Sequence, residues 1–431
     1  MLFLTLVDEG DPMTVYPKHT FAPFSWVDEF LFWQTPIRIR LFDLILLAVL
    51  FIASSKPSGQ GPRVAPMRSM LLLVVATVVL GFIYGIATGG DARAASWQIY
   101  LYLSAVLTAF AVAATFRKAE DYIFLGKVVL AAGLYRALRC CLFYFGYVRN
   151  QRIWPVPDYN AAHDDTVVWV ICIMMMIALV LSKRTPRAML GAFSTIVFLI
   201  LAIQWNRRRL AWVSLAMALI VGFFLMPLGA KRRRVVRIAR IAVPVIAIYT
   251  FIGWGRPENI FLPLRSFASV STQEDQSTKA RNAENLGLIA TVRGAGVLAS
   301  TGWGHPYIEL TNKYSIAEFF ELWPYVPHNG VLGVLAYTGI FGFAGYWLVF
   351  PTAVFLNARI ARLGNTQSMR NVGLVGTTTM MICANQMYGD MGTWSFRTTY
   401  LLAMTYGMAL RLPLIAGVWD PPKAKSEKRT T

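Results

Sequence analysis

Charged residues are scarce in this 431-residue sequence: Asp, Glu, Lys and Arg together make up 15%, whereas 56% of the residues are hydrophobic. This composition excludes a water-soluble enzyme of this length and is typical of a protein that uses lipid as its solvent. Acidic residues are the rarer sign, with 22 Asp and Glu against 41 Lys and Arg and a net charge of +19. Whether that charge indicates nucleic-acid binding depends on where it lies along the chain.

Cysteine and histidine are also scarce, with four residues of each type. Cys140, Cys141, Cys172 and Cys383 all fall inside apolar stretches, so we expect no disulfide and no zinc site. The N-terminal residues M-L-F-L-T-L-V-D-E-G have no basic segment and only a short apolar run, so we expect no signal peptide. The sequence predicts no bound metal and no cofactor.

Long apolar segments dominate the rest of the chain. A helix that crosses a bilayer needs roughly 17–25 apolar residues. Eleven segments meet this need: 38–54, 70–90, 97–116, 122–146, 166–182, 188–204, 210–229, 238–254, 329–356, 371–389 and 397–417. The predicted fold class is therefore an all-α polytopic integral membrane protein with about 11 transmembrane helices.

The loops between these segments alternate in charge. One set is rich in Lys and Arg, including the run K-R-R-R at 231–234, and the other set holds most of the acidic residues. Basic loops are cytoplasmic by the positive-inside rule, so the charge predicts orientation and not a nucleic-acid partner. The predicted parts are an outer N-terminal segment 1–37, eight helices over 38–254, a large outer loop 255–328 with amphipathic helices, three helices over 329–417 and a basic cytoplasmic tail 418–431.

Three consecutive arginines, Arg207, Arg208 and Arg209, break this charge rule because they lie in a predicted outer turn. They could simply extend to lipid headgroups. Alternatively, they form an anion site: Asn206 would cap the next helix, whose free N–H groups and positive dipole end attract phosphate. Arginine side chains in that position suit a phosphate or a pyrophosphate.

The predicted outer loop contains an amphipathic helix over 277–299. Arg281, Leu288 and Val292 share one face of this helix, which places Arg281 on the side that becomes buried. Two interpretations of Arg281 stay open. It forms a structural salt bridge with Glu284 or another neighbour, or it binds the substrate.

Two histidines follow in the same loop. His305 lies in the glycine-rich segment S-T-G-W-G-H-P-Y-I-E at 300–309, where it is either a helix-capping residue or a substrate contact. His328 and Asn329 lie in W-P-Y-V-P-H-N-G-V-L at 323–332, where two prolines stop one helix before the next begins. A histidine at a membrane boundary is a candidate proton acceptor or hydroxyl-positioning group.

Two further constellations are weaker. Y-N-A-A-H-D-D-T at 159–166 could resemble a metal site, but aspartates that cap a helix explain it better. Arg136 and Arg139 lie on nearly one face of the fourth predicted span, where charges line a cavity or pair with an acid. Asp43 in the first span is the candidate partner.

Taken together, these motifs resemble the O-antigen ligase and polymerase family of bacterial envelope glycosyltransferases, over nearly the whole chain. The first motif is N-R-R-R-L-A-W, an arginine that opens a mid-chain span. The second is an outer-loop helix with R-x-x-E, R-N-A-E at 281–284, followed by T-G-W-G-H. The third is H-N-x-x-L, here H-N-G-V-L-G-V-L-A-Y-T-G at 328–339. The family usually has a single arginine in the first motif, whereas this chain has three.

The resemblance implies a polysaccharide polymerase of the bacterial inner membrane with its N-terminus and active site on the periplasmic side. Its donor would be an oligosaccharide on polyprenyl pyrophosphate and its acceptor another glycan or lipid-linked glycan, joined by inverting transfer without an obligatory metal. A partner protein could regulate chain length. The alternatives are an O-antigen ligase that transfers the glycan to lipid A-core and a transporter of lipid-linked sugars, which would need charged sites near mid-membrane.

Site residues carry over from the same family. The resemblance implies that Arg281 and one or two of the three consecutive arginines, Arg208 among them, hold the leaving pyrophosphate. It implies that His328 is the base or the residue that orients the acceptor hydroxyl. The further candidates for substrate binding are Arg207, Arg209, Glu284, His305, Asn329, Arg136 and Arg139.

Overall fold

The computed structural model is mostly helical in the parts of the chain that it describes. These parts are residues 2–7, 41–55, 62–150, 152, 160–182, 185–227, 229–254, 256, 258–261, 263–264, 267–268, 276–298, 300–310 and 323–419. Most of the predicted segments 1–37 and 418–431, and residues 311–322 of the predicted outer loop, lie outside them.

The described residues contain fourteen α-helices. They are α1 (Leu2–Val7), α2 (Leu41–Ser55), α3 (Ala65–Ala87), α4 (Ala92–Thr115), α5 (Ala119–Phe143, extended by a π-helical turn at Tyr144–Arg149), α6 (Asp165–Ser182), α7 (Pro186–Asn206), α8 (Arg209–Leu225), α9 (Ala230–Gly253), α10 (Gln276–Ala295), α11 (Gly330–Trp347), α12 (Val349–Leu363), α13 (Gln367–Gly389) and α14 (Phe396–Ile415). Short 3₁₀ turns lie at Asn259–Phe261 and Trp323–Tyr325.

Seven helical stretches among the described residues are long and apolar enough to cross a membrane, which is the signature of a multi-pass membrane protein. They comprise α3, α4, α5 with its π turn, α6, α7, α9 and the nearly continuous pair α11–α12, while α2 and α8 are apolar but shorter. The sequence therefore predicted the helices well, whereas the total of eleven spans stays a prediction. The segment 329–356, predicted as one span, lies almost wholly within the single apolar stretch Gly330–Leu363, which comprises α11 and α12.

The helices differ in how far their neighbours bury them, from α13 and α14 in the centre of the bundle to α9 at its edge. α13 packs against α6, α8, α12 and α14, and α14 also packs against α4. The apolar stretch of α6 is 67% buried, whereas that of α9 is 0% buried although both are strongly apolar. An apolar helix that the rest of the protein leaves uncovered needs lipid around it, so α9 fits the lipid-facing edge of the bundle.

Side-chain caps start several helices at the points where the chain turns back. The carboxylate of Asp91 accepts a hydrogen bond from the Ala94 N–H at 2.6 Å, and the amide oxygen of Asn329 accepts one from Leu332 N–H at 3.1 Å. Thr366 and Ser395 cap α13 and α14 in the same way. These caps satisfy backbone donors that have no partner within their own helix.

A glycine interrupts α11. Gly339 has φ +64°, a left-handed conformation that disfavours side chains, and a Cβ there would lie 2.8 Å from the Leu298 carbonyl oxygen. The next residue, Ile340, donates its N–H to the Val297 carbonyl at 2.9 Å. The kink therefore places α11 in contact with the residues that directly follow α10. α10 as a result packs against α11.

Candidate functional site

Charged side chains from five segments meet at one end of the bundle. The segments are the turn between α7 and α8, the residues before α6, the helix α10, the residues before α11 and the residues after α13. We call this end the site end. Each polar side chain stands at or next to a helix terminus, except for those on α10, so backbone dipoles and side-chain charges act on the same space.

The centre of the site is a row of four side chains. The Arg208 guanidinium nitrogen Nη2 lies 2.5 Å from His163 Nε2, and His163 Nδ1 lies 2.5 Å from Asp390 Oδ2. The other oxygen of Asp390 accepts a hydrogen bond from Arg281 Nη2 at 3.2 Å. We call Arg208, His163, Asp390 and Arg281 the arginine–histidine row. His163 and Arg281 bond to Asp390 directly, and Arg208 reaches it through His163.

Asp390 is ionised in this setting. Its side chain is 5% exposed, and burial alone would raise the pKa of the carboxyl group. The neighbouring His163, Arg281 and Arg208 outweigh burial and hold the pKa of Asp390 well below its ordinary value. The arginines and the histidine are more open, with His163 39% and Arg281 30% exposed. The row therefore presents positive charge to the solvent side while its carboxylate is buried behind.

A second histidine–carboxylate pair lies beside the row. Glu284 Oε2 is 2.8 Å from His328 Nδ1, and Glu284 Oε1 accepts the backbone N–H of His328 at 2.5 Å. Asn329 supports the pair, because its side-chain amide donates to Asn285 Oδ1 at 3.1 Å while its own oxygen caps α11. Glu284 is 3% and His328 16% exposed. With Nδ1 directed at Glu284, Nε2 is the ring nitrogen on the opposite side of the imidazole.

One backbone hydrogen bond joins the two groups. The N–H of Met391, which directly follows Asp390, donates to the His328 carbonyl at 2.8 Å. Met391 has φ +55°, so this turn is held in a left-handed conformation that non-glycine residues seldom adopt. Such a turn brings the residues before α11 and those after α13 together, and with them the two histidine–carboxylate pairs.

Of the three consecutive arginines, Arg208 contacts His163 in the row. Arg207 has φ +54° and ends α7, and Arg209 is the first residue of α8. The prediction that Asn206 caps α8 is wrong, because Asn206 is the last residue of α7 and its oxygen accepts the backbone N–H groups of Asn160 and Ala161 at 2.9 and 2.7 Å. That oxygen holds the segment leading to His163 and so positions the histidine against Arg208.

Arg281 also has a different partner from the one its sequence neighbourhood predicted. A pair between Arg281 and Glu284 was the local alternative, but Glu284 bonds to His328 and Arg281 to Asp390. Both residues leave the same face of α10, whose apolar residues Leu288 and Val292 are packed as expected. α10 thus contributes one residue to each of the two groups.

Arg136 belongs to a separate, buried network. Its guanidinium makes two hydrogen bonds to Asp165, at 2.7 and 2.6 Å, and its side chain is 6% exposed. Asp164 accepts from Arg397 and Ser395, both at 2.6 Å. We call Arg136, Asp164, Asp165 and Arg397 the buried ion-pair network, in which Arg397 also lies 3.8 Å from Asp165.

The predicted partner Asp43 is therefore wrong for Arg136: Asp43 accepts hydrogen bonds from Tyr100 and Ser104 instead. Arg139, three residues after Arg136 on α5, interacts electrostatically with Asp165. Both arginines of α5 thus serve the buried network, and we assign neither to the substrate. The aspartates of the segment 159–166 face arginines, and no group of three or more metal-ligating side chains occurs in the part of the chain that the structure describes.

His305 has the capping role that its glycine-rich turn suggested. Its Nε2 lies 3.0 Å from the Thr88 hydroxyl and 3.2 Å from the Gly85 carbonyl, at the end of α3. Gln98 of α4 fixes the same turn by accepting the Gly304 N–H at 2.6 Å. This turn closes the site end beside the bundle and is separate in its contacts from the arginine–histidine row.

An apolar groove of about 480 Å³ follows α8 away from the arginines. Its lining side chains are Trp212, Val213, Ala216, Met217, Ile220, Val221 and Phe267. All but Phe267 lie on α8, starting one turn after Arg208. A polar end with arginines and an apolar wall along the same helix match a ligand with a charged head and an oily tail.

Sequence reasoning missed two members of the row. His163 was noted only within a weak metal-like or capping segment, and Asp390 was not singled out. Their signal was faint but present: both are polar residues at the predicted outer ends of apolar segments, at H-D-D and Y-G-D-M-G. A buried acid at the end of an apolar helix needs a cation, and the outward arginines were its available partners.

Comparison with known proteins adds no further identification. No protein family matches the chain, and no curated protein matches it. The function is therefore inferred from the chemistry of the site.

Proposed function

We propose that this protein is a polysaccharide polymerase of the bacterial inner membrane, which joins polyprenyl-pyrophosphate-linked repeat units by inverting glycosyl transfer at the periplasmic face. The observation that carries the proposal is the arginine–histidine row next to the His328–Glu284 pair. The first group offers fixed positive charge for a diphosphate, and the second offers a base oriented by a carboxylate. Glycosyl transfer from a lipid diphosphate needs both.

In this proposal His328 activates the acceptor hydroxyl. In the proposed step Nε2 of His328 takes the proton of the acceptor hydroxyl, and the oxygen attacks the anomeric carbon of the donor sugar. Glu284 holds the ring through Nδ1 and stabilises the imidazolium that forms. This carboxylate–histidine arrangement orients the base before the substrate arrives, which lowers the entropic part of the barrier.

In this proposal Arg208 and Arg281 stabilise the leaving diphosphate of the donor. As the bond between the anomeric carbon and the phosphate oxygen breaks, its electron pair moves to the diphosphate, and negative charge grows there. Guanidinium groups fixed by surrounding structure stabilise that charge without rearrangement. Attack from the face opposite the departing diphosphate inverts the anomeric configuration. The reaction balances as acceptor hydroxyl plus lipid-linked glycan giving a glycosidic bond and free lipid diphosphate.

The polyprenyl tail would lie in the groove of α8. Its wall is almost entirely apolar, beginning with Trp212 and ending near Val221. The isoprenoid chain is an apolar solute that prefers this surface and the adjoining lipid to water. With the tail along α8, the diphosphate at its head comes to Arg208 at the start of that helix.

The test uses purified protein in nanodiscs with a lipid-pyrophosphate-linked oligosaccharide as its only substrate. A ladder of lengthening glycans, absent with His328→Ala, supports the polymerase. Product that forms only after a lipid A-core acceptor is added would replace it with an O-antigen ligase. Lipid-linked glycan that changes sides of a proteoliposome membrane without forming a new bond would replace it with a transporter. The folded state of His328→Ala is checked by size-exclusion chromatography.

A further inference from the structure

The first turns of α9 concentrate positive charge. Residues 230–240, A-K-R-R-R-V-V-R-I-A-R, hold five arginines and one lysine, and no acidic residue occurs anywhere from 209 to 257. Because a helix turns by about 100° per residue, Arg233, Arg237 and Arg240 share one face of α9. All three are exposed. The charge of this face is therefore not balanced by any residue of α8 or α9.

Two arginines from different helices contact the end of α8 that is opposite to Arg208. The Arg232 guanidinium of α9 lies over the Phe223 ring, 4.7 Å from its centroid. Arg362, in the last turn of α12, donates from Nη2 to the Phe224 carbonyl at 3.2 Å. α12 contains no acidic residue either. A ring face and a carbonyl thus hold guanidinium groups of two helices at consecutive residues of α8.

Apolar side chains follow the arginines directly along α9. Ile241, Ile248 and Phe251 continue the face of Arg237, at spacings of four, seven and three residues. They are 70%, 59% and 89% exposed. A phospholipid has the same order of parts, a charged headgroup followed by apolar acyl chains. A soluble polyanion such as a nucleic acid would match the arginines but not the apolar side chains beside them.

We propose that this end of α8 and α9 binds the headgroup of an anionic phospholipid, whose acyl chains lie along the apolar face of α9. We call Arg232, Arg233, Arg237, Arg240 and Arg362 the basic end. Guanidinium groups form paired hydrogen bonds with phosphate, and each has five N–H donors, so the contacts with α8 leave donors for a lipid phosphate. The proposal does not depend on glycosyl transfer, because the site end lies at the other end of α8.

Positive charge on one side of a membrane protein also sets its orientation. Orientation depends on how many basic residues lie on that side, whereas a binding site depends on where they lie. Arg117, just before α5, and Arg187, in the first turn of α7, are exposed and provide the comparison. Tyr144 at the end of α5 stacks on Trp205 at the end of α7, so both helices start toward the same end of the bundle as the basic end.

Native mass spectrometry of the purified full chain in detergent, titrated with phosphatidylglycerol or phosphatidylcholine, tests the site. We expect the wild-type protein to bind its first phosphatidylglycerol more tightly than phosphatidylcholine. Arg233→Gln combined with Arg237→Gln should weaken that binding by about 10–30-fold, since each arginine near anionic lipid contributes about fivefold. Arg117→Gln combined with Arg187→Gln removes the same charge and should bind phosphatidylglycerol as the wild type does.

A charge-conserving variant separates loss of the site from damage to the fold. Arg233→Lys combined with Arg237→Lys keeps both cations on the exposed face and should retain most of the affinity for phosphatidylglycerol. Size-exclusion chromatography checks that every variant is folded. A lysine variant that is folded and binds as weakly as the glutamine variant would show that charge attraction is not the cause, and would overturn the proposal.

Three further outcomes decide the assignment. Equal affinity of the wild-type protein for the two lipids overturns it. An equal loss of phosphatidylglycerol binding in the two glutamine variants also overturns it, because the charge would then act without a defined site. Tighter binding of a short RNA than of phosphatidylglycerol, lost in the α9 glutamine variant, would assign the arginines to a nucleic acid instead.

Discussion

Two charged groups near the same end of the bundle use the same residue types for different purposes. In the buried ion-pair network Arg136 and Arg397 bond to Asp165 and Asp164, and each of these arginines is only 6% exposed. The arginine–histidine row has two arginines and a histidine around one carboxylate, and its Arg281 is 30% exposed. Buried arginine–carboxylate pairs hold helices together, whereas accessible positive charge is the arrangement that the proposed diphosphate site requires.

The difference also shows in what each group bonds to. Arg136 and Arg397 donate to the carbonyls of Val7 and Leu6 as well as to their aspartates, so the network anchors α1 within the bundle. Arg208 and Arg281 donate to side chains from helix ends that are far apart in the chain. The network thus ties α1 to the bundle, whereas the row connects helix ends that are distant in the sequence.

Breaking the buried network should have the largest effect on stability. Asp165→Asn removes the carboxylate that makes two hydrogen bonds to the buried Arg136, and we expect the free energy of unfolding to fall by about 3–5 kcal/mol. Tryptophan fluorescence during titration with SDS measures the change. The exposed Glu120, in the first turn of α5, gives the matched acid-to-amide control, and Glu120→Gln should cost less than about 1 kcal/mol. Equal effects in both variants would contradict a structural role for the network.

Removing the base should affect catalysis without affecting the fold. His328→Gln deletes the proton acceptor, and general-base catalysis contributes about 10²–10⁴-fold to a rate. We expect polymerisation to fall by about that factor, with an SDS unfolding midpoint close to that of the wild type. Elongation at the wild-type rate would remove His328 from the mechanism, and a parallel loss of stability would move it into the structural group.

Replacing Arg281 with lysine keeps the positive charge but removes the planar guanidinium, and this change should have an intermediate effect on the rate of elongation. Arg281→Lys retains a cation but not the planar set of donors, and a charge-assisted hydrogen bond contributes about 1.5–3 kcal/mol. Elongation should fall by about 10–100-fold. Arg293, exposed in the last turn of the same helix, is the matched control, and Arg293→Lys should elongate normally. Full activity in Arg281→Lys would favour a purely structural pair with Asp390.

Protonation of the carboxyls in the two groups should lower the thermal stability of the protein only at low pH. This change should be the smallest of the effects predicted here. Burial opposes ionisation of Asp164 and Asp390, but Arg397 beside the first, and His163 and the arginines beside the second, hold the pKa of each carboxyl below its ordinary value of 3.8. A depressed pKa contributes stability that is complete above the ordinary value and is lost as the pH falls through the folded value. Thermal unfolding should therefore respond to these groups only below about pH 4.

Asp390→Asn removes one of the two carboxyls and so provides the comparison for the acid titration. This variant should lose part of the steep dependence on pH below about 4, and the part due to Asp164 should remain. If the dependence assigned to Asp390 is already complete at about pH 5, its carboxyl is not held in the ionised form by its neighbours.

Local signals in the sequence sufficed for the helices and for single site residues. Apolar runs such as 166–182 predicted α6 within one residue, and the prolines before His328 predicted where α11 begins. Arg281, Glu284 and His328 stood out because each charged or titratable residue adjoins an apolar helix or lies on its packed face. These patterns act over a few residues, and a single sequence displays them.

Local signals in the sequence could not predict the contacts between residues that are distant along the chain. Asp390 lies 227 residues from His163 and 109 from Arg281, so neither contact leaves a pattern along the chain. Local proximity even misled: Arg281 and Glu284 are one helical turn apart, yet each bonds to a distant residue. The kink at Gly339 was equally hidden, because a glycine in an apolar run is compatible with a straight helix until another chain segment occupies the space beside it.

The most direct test of the account counts lipid diphosphate against glycosidic bonds. Wild-type protein in nanodiscs is given the lipid-pyrophosphate-linked oligosaccharide, and free polyprenyl diphosphate and glycan length are both measured by mass spectrometry. The account predicts one free lipid diphosphate for each new bond, and loss of both products when Arg208→Gln and Arg281→Gln are combined in a folded variant. Folded wild-type protein that releases no lipid diphosphate, or a double variant that elongates glycan at the wild-type rate, would contradict it.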